Sequence, residues 1–191
     1  QENDTRLNFL PFSHIYARTC DLYTWIARGS QLALTRNRDT IMDDIRAVRP
    51  TLINGVPYFY QRVHHKIVER GKGDDLSALK TALGGEIRAC VCGGAALDNE
   101  TYDFYHERGI PLLPGYGLTE TSPVIATCTL DVHRRGTVGK PLPGIEVRIA
   151  EDGDFDVNRT ETDFGSVLCR HWICRVFPFV RPGDKDPSHR G

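Results

Sequence analysis

The stretch Ile87-Arg88-Ala89-Cys90-Val91-Cys92-Gly93-Gly94 is a six-residue run of β-prone residues that stops at two glycines. A helical segment follows over 99–108, with Asp98 as a candidate N-cap and Gly109 at its end. A second apolar strand, 110–113, comes next. Strand, glycine turn, helix and strand together predict a βαβ unit, and therefore a parallel sheet with a right-handed crossover.

The segments around this unit extend the same α/β plan. They predict strands at 8–16, 31–34, 51–54 and 145–149 and helices at 17–26, 41–48, 57–70 and 76–83. The first of these helices is apolar and aromatic enough to be buried, and Ser13 is a candidate cap before it. Asp152-Gly153 would be a tight turn if a partner strand followed the last of these strands.

Composition excludes several classes of partner. The 191 residues carry 24 Lys plus Arg against 25 Asp plus Glu, so the balance gives no electrostatic case for nucleic acid or an anionic membrane. No run approaches the ~18 apolar residues of a membrane span, and the polar start has no signal-peptide core. We therefore expect a soluble, cytoplasmic chain.

Two features concern the cysteines and the ends of the sequence. Most of the six cysteines sit in apolar stretches, which favours reduced, buried thiols, and Cys169-x-His171-x-x-Cys174 lacks the fourth ligand of a usual zinc site. The chain begins with Gln1 and its single methionine is Met42, which predicts an internal fragment of a longer protein.

The decapeptide Pro114-Gly115-Tyr116-Gly117-Leu118-Thr119-Glu120-Thr121-Ser122-Pro123 carries the strongest functional signal. Its glycines let the backbone approach a ligand, and its hydroxyls and lone carboxylate suit phosphate oxygens and a hard cation. The plain alternative is a glycine-rich surface loop. Gly93-Gly94 and the 115–117 turn are both expected at carboxyl ends of adjacent parallel strands, where α/β sheets bind ligands. Their pairing favours a nucleotide-phosphate and magnesium site.

Four segments of the sequence carry motifs that occur in a set order. They are Leu10-Pro11-Phe12-Ser13-His14-Ile15, Pro50-Thr51-Leu52-Ile53-Asn54-Gly55-Val56-Pro57, Cys92-Gly93-Gly94-Ala95-Ala96-Leu97 and 115–123, with 136–149 behind the last. Over residues 7–150 the chain resembles the central part of the adenylate-forming (AMP-binding) superfamily, and most of all its long-chain acyl-CoA synthetases (fatty acid–CoA ligases). The run 115–121 is the most specific of these segments.

The resemblance implies a reaction and its ligands. A carboxylic acid, most of all a long-chain fatty acid, would react with ATP to give acyl-AMP and pyrophosphate, and the acyl group would then pass to the thiol of coenzyme A. ATP or AMP, Mg²⁺ and coenzyme A are the implied small molecules. The resemblance also leaves open a peripheral association of the parent enzyme with membranes.

The same resemblance assigns roles to individual residues. Gly93, Gly94 and Ala95 would lie along the adenine, with Tyr116 stacked on its face, a geometry that glycine and an aromatic ring allow. The remaining residues of the nucleotide turn are Gly115, Gly117, Leu118 and Thr119.

Three residues are implied in the chemistry itself. Thr119 would donate its hydroxyl to the α-phosphate, Glu120 would hold Mg²⁺, and His14 would lie beside the acyl carboxylate. The alternative for His14 is a hydrogen-bonded structural histidine at a strand end. The other histidines, including the pair His64-His65, are predicted to lie on helix surfaces.

Several parts of such an enzyme are missing from the sequence. These are the Ser/Thr/Gly-rich phosphate loop, the ribose-binding Asp, the hinge and the C-terminal domain with its lysine. We therefore expect a partial AMP-binding domain over 1–165. Its parallel sheet would be incomplete, and the chain would be inactive alone. Residues 166–191 stay unassigned, as divergent sequence or a shifted reading frame.

Three other interpretations remain open. The parent could adenylate short, aromatic or amino acids, or the chain could be a non-catalytic nucleotide-binding remnant. A doubly wound domain for another nucleotide is the third, against which the absence of Gly-x-Gly-x-x-Gly and Walker motifs weighs.

Overall fold

The computed structural model describes residues 3–73, 75–149 and 155–159. The strands are β1 (Thr5–Asn8), β2 (Gln31–Leu34), β3 (Leu52–Gly55), β4 (Ala89–Cys92), β5 (Leu112–Gly117), β6 (Val124–Thr127), β7 (Lys140–Pro141), β8 (Ile145–Ile149) and β9 (Phe155–Arg159). The helices are α1 (Ile15–Ala17), a π-helical segment (Arg18–Tyr23), α2 (Thr24–Arg28), α3 (Ile41–Val48), α4 (Pro57–Glu69), α5 (Leu76–Ala82) and α6 (Asn99–Glu107).

The predicted parallel sheet is confirmed. Seven strands hydrogen-bond in the order β2-β1-β3-β4-β5-β6-β7. The first five in this order are parallel, and β6 and β7 continue the sheet in antiparallel fashion. Cys90 of β4 faces Ile53 of β3 on one side and Leu112 of β5 on the other. The βαβ unit read from the sequence therefore forms the centre of the sheet.

Helices α3 to α6 contribute to one hydrophobic core together with β1, β3, β4 and β5. Fully buried members from this cluster are Leu7, Ile45, Ile53, Tyr60, Leu79, Leu83 and Tyr105. The buried Tyr60 hydroxyl lies 2.8 Å from the Val91 carbonyl and 3.0 Å from that of Ile53. It thus fixes α4 against two adjacent strands without leaving a polar group unpaired.

Local signals at the helix ends act as predicted. The Asp98 side chain accepts a hydrogen bond from the backbone N–H of Thr101 at 2.7 Å and caps α6. Pro57 occupies the first turn of α4, and Gly29 ends α2 in the left-handed conformation with φ 64°.

Two predictions near the start of the chain are wrong. The strand expected within 8–16 is β1, which ends at Asn8, and His14 rather than Ser13 caps the helix that follows. The helix expected to be buried has a π-helical middle, and Ile26 is 66% exposed. Within the described residues no element covers this outer side of α2, so its apolar side chains face outward although their sequence suggests burial.

The turn predicted at 115–121 is also different. β5 continues through Gly117, pairing antiparallel with β6 across a register shift at Tyr116 and Gly117. Only Thr119–Thr121 form a 3₁₀ turn. Sequence reasoning ended the strand too early because proline and glycine are depleted in strands.

β8 and β9 pair in antiparallel fashion, so the partner strand on which the turn prediction depended is present. The expected turn, Asp152-Gly153, lies outside the described residues, as do the tail 166–191 and the candidate ligands Cys169, His171 and Cys174. No helix in the described part of the chain has the length and apolar character needed to cross a bilayer.

Candidate functional site

A cavity of about 260 Å³ lies beyond the carboxyl end of β4 and beside β5, with α1 and the π-helical segment as a further wall. Among its lining residues are His14, Gly93-Gly94 and the whole run 115–120. Nine of the ten residues predicted from the sequence therefore border one space. The tenth, Ala95, is exposed and does not line this cavity.

Glycine is required at two positions of the cavity wall because other atoms come too close for a side chain. A Cβ atom at Gly93 would lie 3.0 Å from the ring of Tyr16. At Gly117 it would lie 1.7 Å from the backbone carbonyl oxygen of Pro123. These close approaches leave little or no room for a side chain, so the wall at both positions is formed by backbone.

Thr119 and Glu120 project from the 3₁₀ turn at the cavity and are exposed. Thr121 holds this turn in place, because its hydroxyl accepts from the Leu118 N–H at 2.9 Å and lies 2.6 Å from the Pro123 carbonyl. Neither the Thr119 hydroxyl nor the Glu120 carboxylate hydrogen-bonds to any described residue. Both groups remain available to a ligand.

His14 forms a structural hydrogen bond and also borders the cavity, while its role beside an acyl carboxylate stays a prediction. Its Nδ1 accepts a hydrogen bond from the Tyr16 N–H at 3.2 Å, so the ring serves as the N-cap of α1. It also lines the cavity. Because Nδ1 is an acceptor, the neutral ring carries its proton on Nε2, which is thus a hydrogen-bond donor.

Tyr116 is 9% exposed and packs with Ile125, Ala126 and Val138. The ring lines the cavity from a position on β5, directly opposite Ala126 of β6. Its orientation is therefore set by strand pairing, which makes it a rigid wall rather than a mobile loop side chain.

The sequence analysis did not identify a polar group that is buried behind the cavity. Asp21 is 1% exposed, and burial raises its pKa to about 7 although Asn54 donates a hydrogen bond to it at 2.6 Å. Its neighbour Cys20 lines the cavity, and burial together with the Asp21 charge raises the thiol pKa to about 12. This thiol is neutral at physiological pH and is therefore a poor nucleophile. The one feature of the sequence that could have pointed to Cys20 and Asp21 is their position in the first helical segment after His14.

The prediction that His64 lies on a helix surface is wrong. His64 is 5% exposed, and its ring stacks on Phe104 with centroids 3.9 Å apart. Burial lowers its pKa below the ordinary range. The packing of α6 on α4 decides this, and the sequence of α4 alone does not reveal which of two adjacent histidines faces inward.

The four cysteines in the described part of the chain are free thiols, as predicted. No cluster of three or more His, Cys, Asp or Glu side chains in this part could hold a metal ion. A single carboxylate at the cavity, Glu120, fits Mg²⁺ only when phosphate oxygens and water complete the shell, which is how proteins usually bind this ion with nucleotides.

Residues 1–171 match the family described as AMP-binding enzyme. The chain belongs to this family. A long-chain fatty acid–CoA ligase of Mycobacterium bovis, FadD15, is 27% identical over 90% of this chain and 34% of its own length. The chain therefore spans about a third of the length of the curated relatives it matches.

Solved structures of CoA ligases share the fold. The O-succinylbenzoate–CoA synthetase of Bacillus subtilis in complex with ATP and magnesium has a TM-score of 0.67 at 21% identity, covering 89% of this chain and 35% of that one. A malonyl-CoA ligase with methylmalonyl-CoA and AMP bound has a TM-score of 0.69 at 24% identity, covering 87% and 36%.

Proposed function

We propose that the parent of this chain is an AMP-forming acyl-CoA ligase and that the cavity holds the adenosine and α-phosphate of ATP. The observation that carries this proposal is the convergence of His14, Gly93-Gly94 and 115–120 on one space. The membership of the chain in the AMP-binding enzyme family supports it. Because the chain spans only part of its relatives, the proposal concerns the whole enzyme.

In the proposed reaction, a carboxylate oxygen of the substrate attacks the α-phosphorus of ATP, and the bond to the bridging oxygen breaks to release pyrophosphate. The thiol sulfur of coenzyme A then attacks the acyl carbonyl, and AMP leaves. Mg²⁺ bound at Glu120 would neutralise phosphate charge as the anionic carboxylate approaches. The Thr119 hydroxyl would donate to an α-phosphate oxygen, and His14 Nε2–H would orient the substrate carboxylate.

Two features of the cavity favour these roles. The side chains of Thr119 and Glu120 form no hydrogen bond with a described residue, so no such bond is broken when they bind a ligand. His14 is held by its cap to Tyr16, so its free nitrogen is pre-oriented. Donors that are already positioned at developing charge contribute about 3–4 kcal/mol each to lowering a barrier.

Binding of ATP to the 191-residue chain, measured by calorimetry with and without Mg²⁺, tests the site. Thr119→Ala is expected to weaken ATP about tenfold in both conditions, since one hydrogen bond to a charged group is lost. Glu120→Gln is expected to weaken ATP only when Mg²⁺ is present. Thr81→Ala and Glu69→Gln, which make the same changes on exposed surface, serve as controls. Equal affinities for all four variants would contradict the assignment.

For the substrate we propose a long-chain fatty acid, which the name of the Mycobacterium bovis relative supports. The alternative is a short, aromatic or dicarboxylic acid, the kind of substrate named for the solved structures. Acid-dependent exchange of pyrophosphate into ATP by the full-length parent enzyme, compared for palmitate, octanoate and benzoate, separates the two. If the parent enzyme binds ATP but shows no exchange with any acid, it is a non-catalytic nucleotide-binding protein.

A further inference from the structure

A second cavity, of about 580 Å³, shares no lining residue with the nucleotide cavity. It lies where three strands end: Phe9-Leu10-Pro11 follow β1, Val56 follows β3, and Arg38-Asp39 lie in the connection between β2 and α3. Ile41 and Met42, from the first turn of α3, also line it. We refer to it as the β1/β3 groove. β2 and β3 flank β1 on opposite sides, so successive connections leave in opposite directions at this point. Ligands of open α/β sheets bind in crevices at such switch points.

The floor of the β1/β3 groove is apolar. Phe9 and Phe59 lie together in it with ring centroids 4.7 Å apart, and Met42 and Val63 add aliphatic surface. A volume of about 580 Å³ matches the range in which proteins bind small organic molecules. An apolar floor of this kind favours a ligand with a hydrocarbon or aromatic body.

The same groove is electropositive. Arg38, Arg62 and Lys66 line it, against a single carboxylate, Asp39. None of the three cations forms an ion pair or hydrogen bond with a described residue, and Arg62 lies 5.7 Å from the ring centroid of Tyr58. The first turns of α3 and α4 also border the groove, and their helix dipoles add to the positive potential.

We propose that the β1/β3 groove binds a small organic anion with an apolar body and a single carboxylate or phosphate head group. The body covers the floor at Phe9, Met42 and Phe59, and the head group lies among Arg38, Arg62 and Lys66. An excess of positive over negative side chains together with a mostly apolar wall suits one anionic head rather than a polyanion. The site is separate from the cavity proposed for ATP, so the inference does not rest on that function.

Met42 gives a direct test because it lines the groove and is the only methionine in the sequence. Labelling with [methyl-¹³C]methionine therefore produces one signal from inside the groove, which Met42→Leu distinguishes from any initiator methionine. Titration with octanoate is expected to shift this signal in a saturable way. Octyl phosphate is the second probe, and the tighter of the two identifies the head group. Octanol, which has the same chain and no charge, is expected to bind about tenfold more weakly.

Charge variants test the head-group position. Arg62→Gln and Lys66→Gln are each expected to weaken octanoate about fivefold, the effect of one exposed ionic contact. Asp39→Asn removes the one repulsive carboxylate and is expected to tighten binding. Arg70→Gln makes the same charge change at the C-cap of α4, outside the groove, and is the matched control.

The outcomes separate clearly because the substituted side chains are exposed, and the Met42 signal of each free variant reports whether the groove is intact. Saturable binding that is weakened by the groove variants and unchanged in Arg70→Gln supports the proposal. It is overturned if neither octanoate nor octyl phosphate shifts the signal, if octanol binds as tightly as octanoate, or if Arg70→Gln weakens binding as much as Arg62→Gln.

Discussion

Replacing Gly117 by alanine should collapse the turn that carries Thr119 and Glu120. The new Cβ atom would start 1.7 Å from the Pro123 carbonyl oxygen, whereas Cβ contacts below 3.0 Å essentially do not occur. The obstructing atom is a backbone oxygen of the residue that precedes β6, so no side-chain rotation relieves the clash. Either β5 or the segment that enters β6 must move.

The energetic cost follows from what that carbonyl does. It accepts the Leu118 N–H at 2.9 Å and lies 2.6 Å from the Thr121 hydroxyl. Moving it breaks both contacts, and at about 1–2 kcal/mol each the loss in the free energy of unfolding is about 2–4 kcal/mol. For a chain of this size the melting temperature should fall by about 5–15 °C.

Gly115→Ala is the matched control on the same strand. Its Cβ would lie 3.3 Å from the Thr127 hydroxyl, a side-chain atom that can rotate away, so its free energy of unfolding should change by less than about 1 kcal/mol. Urea unfolding is measured for both variants, and ATP binding is measured for Gly117→Ala against the unmodified chain. If Gly117→Ala unfolds like the unmodified chain and binds ATP equally well, the geometry described for this turn is wrong.

Three further substitutions test the buried and capping groups. Burial lowers the pKa of His64 below its ordinary 6.5, so the folded state resists protonation and stability falls with falling pH; His64→Phe should flatten urea-unfolding profiles between pH 7 and 5. Asp21 has the opposite sign, because burial raises its pKa from 3.8 to about 7 and the folded state therefore loses stability as pH rises between these two values; Asp21→Asn, which can still accept from Asn54, should give a stabilisation that is absent near pH 3, grows between about pH 4 and pH 7 and stays constant above pH 7. Asp98→Ala should cost about 1 kcal/mol in the same assay through loss of the cap to Thr101, and an unchanged midpoint would contradict the capping role.

Much of the fold could be predicted because its signals are local. The cap at Asp98, the proline that opens α4 and the glycine that closes α2 each act within one turn of their own position. The run from Ala89 to Cys92 is short, apolar and followed by two glycines, and these features were enough to predict a buried parallel strand. These features do not depend on distant neighbours.

The errors concern features that distant neighbours decide. Gly115 to Gly117 are strand because β6 pairs with them, although their composition indicates a turn. His64 is buried because Phe104, from another helix, stacks on it. The π-helical geometry of Arg18–Tyr23 has no marker in the sequence that we could identify.

The roles of the candidate site residues stay predictions, although most of these residues line one cavity. The family resemblance supplied His14, Gly93 and Thr119, which now line one cavity. Cys20 and Asp21 were missed because their perturbed environment depends on contact with Asn54 of another element. The residues of a helix with one exposed side do not show which of its polar side chains are buried.

The cavity proposed for ATP is lined by residues that are far apart in the chain, from His14 to Thr127. Its first wall is synthesised long before its last, and the sheet that joins them is built from parallel strands with long connections. Such topologies form late and slowly during folding because distant segments must meet first. Under the function proposed for the cavity, a nascent chain that has not yet emerged past Thr127 lacks a complete site for ATP, and ATP can stabilise the fold only in the final stage of folding.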